Sequence, residues 1–272
     1  MTAGDDTMVP TIGEQTIGEQ TIGEQTIEVQ TIVGIDCATD PRKTGVVGIT
    51  RDAQRYRVTH AALGDGPGSV ARLATAAAGD GPALFCLDAP LGWPAALGET
   101  IAPHRAGAAL RQTEPNRLFR RATDEFVRRR LGKQPLEVGA DRIARTAVAA
   151  LGVLGALREL RAEPIPLAWS SALAASAAIE VYPAAVLLAR GLPARRYKPA
   201  AARELRTVIL DGLATELDPG EHRGLMLDAA DVLDAALAAL AGADFLAGHC
   251  PPPSDRALAA REGWIWIRDF SA

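Results

Sequence analysis

Residues 227–240, Leu-Asp-Ala-Ala-Asp-Val-Leu-Asp-Ala-Ala-Leu-Ala-Ala-Leu, constrain this chain more than any other stretch. Alanine and leucine are strong helix formers, so the segment is expected to form a helix, largely buried. It nevertheless carries Asp228, Asp231 and Asp234. At about 100° per residue the three fall within a sector of roughly 120°, one carboxylate above the next. Like charges at that spacing repel, and burial raises the cost. A divalent cation is the obvious means of offsetting it.

Short apolar runs supply the layer such a helix needs. Residues 31–38, 44–50 and 56–63 read as three strands with short polar connections, an antiparallel meander. After the break at residues 64–68, Ser69 is placed to cap a helix running to about Ala78. Residues 83–88 give a fourth strand, 177–182 a fifth that stops at Pro183, and 263–267 a terminal one. Residues 95–162 look helical and basic, and nine Lys or Arg face three acids between Arg105 and Lys133. Another helix is expected over 199–216. The expected fold class is therefore α/β: a mixed sheet, meander plus parallel strands, flanked by helices and carrying a helical insert at about 95–162.

Residues 1–30 stand apart. They repeat TIGEQ three times from Thr11 to Gln25 and hold six acids and no Lys or Arg. A five-residue period builds no packed repeat, so a disordered acidic leader is expected, with a single domain over 31–272. Without the leader's six acids, 27 acids face 29 bases, which is no strong polyanion-binding signature. No apolar run approaches the ~20 residues that span a membrane, and the acidic N-terminus is no secretory signal. Cys37, Cys86 and Cys250 are odd in number and far apart, which suits a reducing cytoplasm.

Asp36 and Asp88 each close an apolar strand just before a turn, the end at which α/β sheets usually bind ligands. A turn cap is the plainer role for either one alone. Carboxylates converging from separate elements are what Mg²⁺ or Mn²⁺ requires, and two such ions suit phosphodiester hydrolysis. Zinc is disfavoured, because His60, His104, His222 and His249 are scattered and no Cys-x-x-Cys or His-Glu-x-x-His motif occurs.

Five motifs in order carry a resemblance: Gly34-Ile35-Asp36-x-Ala38, Leu87-Asp88-Ala89-Pro90-Leu91-Gly92, Glu180-Val181-Tyr182-Pro183-Ala184, Asp231-x-x-Asp234-Ala235 and Glu262-Gly263-Trp264-Ile265-Trp266. Together they resemble the domain of unknown function 429 family over residues 31–268. That family is regarded as predicted nucleases with a ribonuclease H-like fold. The resemblance implies Asp36 as the first-strand aspartate bridging two metals, Asp88 as the fourth-strand acid, and Asp231 and Asp234 as the pair on the final helix. The superfamily often has Glu where this chain has Asp88. Asp228 is either a further ligand or a helix cap, and Glu180 either an extra metal ligand or the buried partner of an arginine. Arg120 and Arg121 match a motif in the insert, where they hold a substrate phosphate or form an exposed salt-bridged helix face; Lys198 is a similar case. Trp264 and Trp266 alternate with isoleucines, which suits core packing, with nucleobase stacking as the alternative.

The expectation is a cytoplasmic Mg²⁺- or Mn²⁺-dependent nuclease with nucleic acid as its partner and no membrane association. Its rivals are a phosphotransferase or hydrolase acting on a small phosphorylated molecule, and a non-catalytic nucleic-acid-binding module.

Overall fold

The structure, a computed structural model, describes residues 31–110, 114–139 and 141–269. The TIGEQ leader lies outside them. In chain order the elements are β1 (Thr31–Asp36), β2 (Gly45–Asp52), β3 (Arg55–Leu63), α1 (Ser69–Ala78), β4 (Ala83–Asp88), α2 (Ala95–Ile101), α3 (Pro115–Phe119), α4 (Ala122–Leu131), α5 (Asp141–Arg161), β5 (Ala177–Val181), α6 (Pro183–Ala189), α7 (Arg203–Gly212), β6 (Leu217–Asp218), α8 (Arg223–Asp228), α9 (Ala230–Leu246), α10 (Arg256–Glu262) and β7 (Ile265–Trp266). The described strands form one mixed sheet in the order β6-β3-β2-β1-β4-β5-β7. The meander β1-β2-β3 is antiparallel, as expected, and β4, β5 and β7 continue from β1 in parallel. The expected helical stretch between β4 and β5 holds α2 to α5.

Alternation along the strands sorts their side chains onto two faces. Ile32, Val47, Ile49, Leu84, Cys86 and Ile179 pack with α9 and its neighbours. Val33, Ile35, Phe85 and Leu87 pack on the other side, beneath α1 and α5. The sheet is thus buried on both faces, which explains why β1 and β4 read as continuous apolar runs.

Helix α9 is the chief element of the first face, and it sits unusually low. A Cβ added at Gly34 would lie 1.9 Å from the Ala235 carbonyl oxygen, and one at Gly45 would lie 2.1 Å from that of Asp231. From the helix side, a Cβ on Gly242 would meet Cys86 Sγ at 2.4 Å. Glycine at these three contacts, with alanine along most of the helix, lets backbone approach backbone. All of Val232 to Phe245 is buried as a result.

The structure departs from the sequence expectations in three places. The aspartate segment is not one helix: Ala229 is extended (φ −118°, ψ 108°) and separates α8 from α9. No residue there disfavours a helix, so tertiary contacts set the break, with α9 lying on the sheet and α8 packing against α7. Ser69 is the first residue of α1 rather than its cap; its Oγ accepts from the Asp65 and Gly66 amides in the preceding turn. Strand β6, two residues pairing parallel with β3, was too short to carry a pattern.

Replacing Gly34 with Ala is expected to lower stability by about 1–3 kcal/mol through overpacking, or roughly 2–10 °C in Tm. Gly66→Ala, which adds a methyl group in open space, is the control. Equal melting curves for the two variants would mean that α9 is not seated on β1 in this way.

Candidate active site

Asp36 and Asp88 are register partners at the C-terminal ends of adjacent parallel strands. Both share strand parity with the residues that face α9, namely Ile32 and Gly34 on β1, and Leu84 and Cys86 on β4. Asp234, fully buried on the second turn of α9, completes a group of three carboxylates over these strand ends. The seating of α9 on Gly34 and Gly45 brings it there. Asp231 is half-buried on the first turn of the same helix and is close enough to raise the pKa of Asp36.

Two groups restrain this negative charge. Tyr197 donates its hydroxyl to Asp234 Oδ1 at 2.6 Å, and Lys198 places Nζ 2.5 Å from Asp234 Oδ2. That second oxygen receives no aligned hydrogen bond. The segment carrying Tyr197 and Lys198 is held from behind by Arg206, a buried guanidinium with no carboxylate partner among the described residues. It donates to the carbonyls of Leu227 (2.7 Å), Tyr197 (2.6 Å), Pro199 (2.9 Å) and Ala200 (3.2 Å).

The electrostatics follow from this crowding. Burial, reinforced by Asp88 and Asp234, raises the Asp36 carboxyl well above its ordinary range. Burial also lifts Asp88, to about 7; Lys198 opposes the rise, Asp234 and Glu180 add to it, and a hydrogen bond with Asp36 lowers it. Burial works against the Lys198 ammonium, but Asp234 and Asp36 outweigh it and raise its pKa above the usual value. Burial and Asp234 likewise push up the Tyr197 phenol. Lys198 and the Tyr197 hydroxyl thus offset part of the charge that these carboxylates crowd together.

The carboxylates lie in a pocket of about 530 Å³ that opens at the strand ends. Its wall includes Lys133, Tyr182, Arg195 and Arg196, none of which the sequence marks as a site residue, although Tyr182 falls in one of the five motifs and Lys133 ends the basic stretch. They stand in irregular segments, where only the run Arg195-Arg196-Tyr197-Lys198 hints at a cationic loop.

Other residues singled out in the sequence take different roles, although Glu180 and Arg121 also reach the pocket wall. Glu180 is the register partner of Leu87, so its side chain shares the opposite face of the sheet. There it is the partner of an arginine: Arg121 binds it in bidentate fashion at 2.8 and 2.7 Å, and the Leu91 amide adds a third contact. Arg121 is 1% exposed, and its five N–H bonds point to Glu180, Asp124 and the Glu262 carbonyl, leaving none for a phosphate. Arg120 pairs with Glu137 at 2.9 Å and lines a different cavity. Asp228 ends α8, exposed and paired with Arg203, and caps nothing. Trp264 and Trp266 are buried against Phe126 and Phe245, as core residues. Of the cations named from sequence, only Lys198 reaches the carboxylates.

Among the described residues, no group of three or more His, Cys, Asp or Glu is arranged to hold a metal ion as the side chains stand. The donor set still fits a hard cation: the oxygens are carboxylate, and three acids face Lys198, whose ammonium is set against Asp234.

Comparison with known proteins gives one family. Its model, described as "Protein of unknown function (DUF429)", matches residues 34–257, most of the chain. No curated protein and no solved structure matches.

Two outcomes test this description. Folding raises the Asp88 pKa, so its penalty is absent below the ordinary carboxylate pKa of about 3.9, grows as pH rises from there, and is complete above about 7. In metal-free buffer, Asp88→Asn is expected to melt roughly 2–8 °C above wild type at pH 8, the gap closing toward pH 4. A gap independent of pH would show that charge at Asp88 is not its cause. Glu180→Ala leaves Arg121 under-compensated and is expected to cost about 3–5 kcal/mol in denaturant unfolding. A cost below about 1 kcal/mol would contradict the structural role.

Proposed function

This chain belongs to the DUF429 family, and for it we propose a metal-dependent nuclease that hydrolyses phosphodiester bonds on a ribonuclease H-like domain over residues 31–272. The observation that carries the proposal is the pairing of Asp36 with Asp88 at adjacent strand ends, with Asp234 of α9 over the same face. The meander followed by parallel strands supports the fold reading. Free Cys37, Cys86 and Cys250 suit action in the cytoplasm, and no helix among the described residues is long and apolar enough to cross a membrane.

Asp36, Asp88 and Asp234 would hold Mg²⁺ or Mn²⁺, with Asp231 beside them. Bound there, such ions would activate water and stabilise the leaving oxygen. The residues themselves contribute convergence: three carboxylates are gathered at the strand ends before any ligand arrives, side-chain rotation would complete a ligand set, and their repulsion favours a bound cation. Tyr197 fixes the orientation of Asp234 through Oδ1, leaving Oδ2 toward Lys198. Lys198 offers an ammonium that can leave Asp234 for a phosphate oxygen once another cation replaces it.

A second reading has its own support. Lys198 already neutralises Asp234, and the pocket is closed enough for a small phosphorylated molecule. A hydrolase or phosphotransferase of such a molecule would use the same floor.

Labelled single- and double-stranded DNA and RNA, incubated with Mg²⁺ or Mn²⁺, separate the readings. Cleavage by wild type is expected to fall by at least ~10²-fold in Asp36→Asn and in Asp234→Asn. Turnover of small phosphate esters, with every polymer left intact, would overturn the nuclease in favour of the second reading.

A further inference from the structure

Three cations line the pocket together with Lys198: Lys133, Arg195 and Arg196. Lys133 is half-buried, Arg195 and Arg196 are exposed, and none of them forms an ion pair among the described residues. Burial, then Arg195 and Lys198, lower the Lys133 pKa, while Asp88 and Asp234 on the pocket floor act the other way. Elsewhere on the surface some cations are paired, as Arg203 is with Asp228 and Arg261 with Glu99. An anion seated between Lys133 and Arg195 would relieve the repulsion between them.

The loop holding two of them is fixed in advance. Arg196 has φ +63°, a left-handed conformation that is costly for a non-glycine residue and that clusters at ligand sites. Arg206 binds the carbonyls of Tyr197, Pro199 and Ala200 just beyond it. Lys133 is held over the Tyr182 ring, 5.3 Å from its centroid.

An apolar surface adjoins these charges. Pro135, Leu136 and Ile143 line the same pocket, and Leu136 is 70% exposed although it is a large aliphatic residue. A wall of this kind beside bare cations matches a ligand that is anionic at one end and apolar at the other. The volume of about 530 Å³ falls within the range of small-molecule sites.

We propose that this pocket binds one nucleotide-sized organophosphate, with the phosphate on Lys133, Arg195 and Arg196 and the apolar portion against Pro135, Leu136 and Ile143. The inference deepens the proposed function, because it makes the substrate a free nucleotide or a phosphorylated chain terminus rather than an internal bond of a duplex. Only the identity of the bond cut depends on the nuclease reading; the binding does not.

Calorimetric titration of the full chain with adenosine monophosphate, inorganic phosphate and adenosine, in chelator so that metal plays no part, tests it. Adenosine monophosphate is expected to saturate the wild type, with adenosine at least ~10-fold weaker. Arg195→Gln combined with Arg196→Asn, the Asn chosen to tolerate the left-handed backbone, should weaken adenosine monophosphate by ~10-fold or more. Leu136→Asn should weaken adenosine monophosphate while leaving inorganic phosphate unchanged. Repeating the titration with a short 5′-phosphorylated oligonucleotide distinguishes a chain terminus from a free nucleotide. No saturation by either ligand at millimolar concentration, or equal binding by wild type and both variants, overturns the proposal. Metal-dependent cleavage of polymers without such binding would sink the pocket inference and leave the nuclease; binding without hydrolysis in any metal would do the reverse.

Discussion

The close approach of α9 to β1 and β2 is the contact on which the rest of the structure depends. Gly34 and Gly45 remove the side chains that would hold the helix off the sheet, and the alanines of the helix do the same from above. Two consequences follow together. Dense packing of small groups buries the helix almost completely, recovering through many weak contacts what large side chains would have supplied. The same geometry sets Asp234 over the ends of β1 and β4, so packing of the core and assembly of the candidate site are one event.

Two buried ionic clusters stand at the strand ends, and their difference separates structure from chemistry. Around Arg121 every donor is matched by Glu180, Asp124 or the Glu262 carbonyl, while the Glu262 carboxylate accepts from the Ala95 and Ala122 amides. A saturated cluster of this kind fixes how α4 and α10 meet β5. Around Asp234 the match is incomplete: Asp36, Asp88 and Asp234 outnumber Lys198, and burial and their mutual repulsion raise the Asp36 and Asp88 carboxyls. Such a cluster destabilises the fold slightly, as sites poised for a ligand commonly do.

Much of this was legible in the sequence, for identifiable reasons. Apolar runs ending in Asp36 and Asp88 mark strands and their exits, because an aspartate there has no packing role. Glu180 sits at a similar strand end yet points the other way, and residue register decides that: it pairs with Leu87, one residue before Asp88. A single strand read alone cannot show which residue its neighbour sets opposite. Arg120 and Arg121 looked equivalent in sequence, but one is surface and the other is 1% exposed, since burial of an arginine depends on carboxylates as distant in the chain as Glu180. The loop from Ala194 to Lys198 has no periodicity, so Tyr197 and the free arginines carried no signal of their own.

The carbonyl contacts of Arg206 also tie the site to local stability. Its side chain springs from α7, and one of the four carbonyls it gathers, that of Leu227, lies at the end of α8, just before the turn into α9. Opening of α7 would therefore release Tyr197 and Lys198 from behind and withdraw the ammonium that touches Asp234. The candidate site and the α7–α8 corner thus form one cooperative unit. Amide exchange along α7 would report on the electrostatic state of a site whose carboxylates lie on other elements.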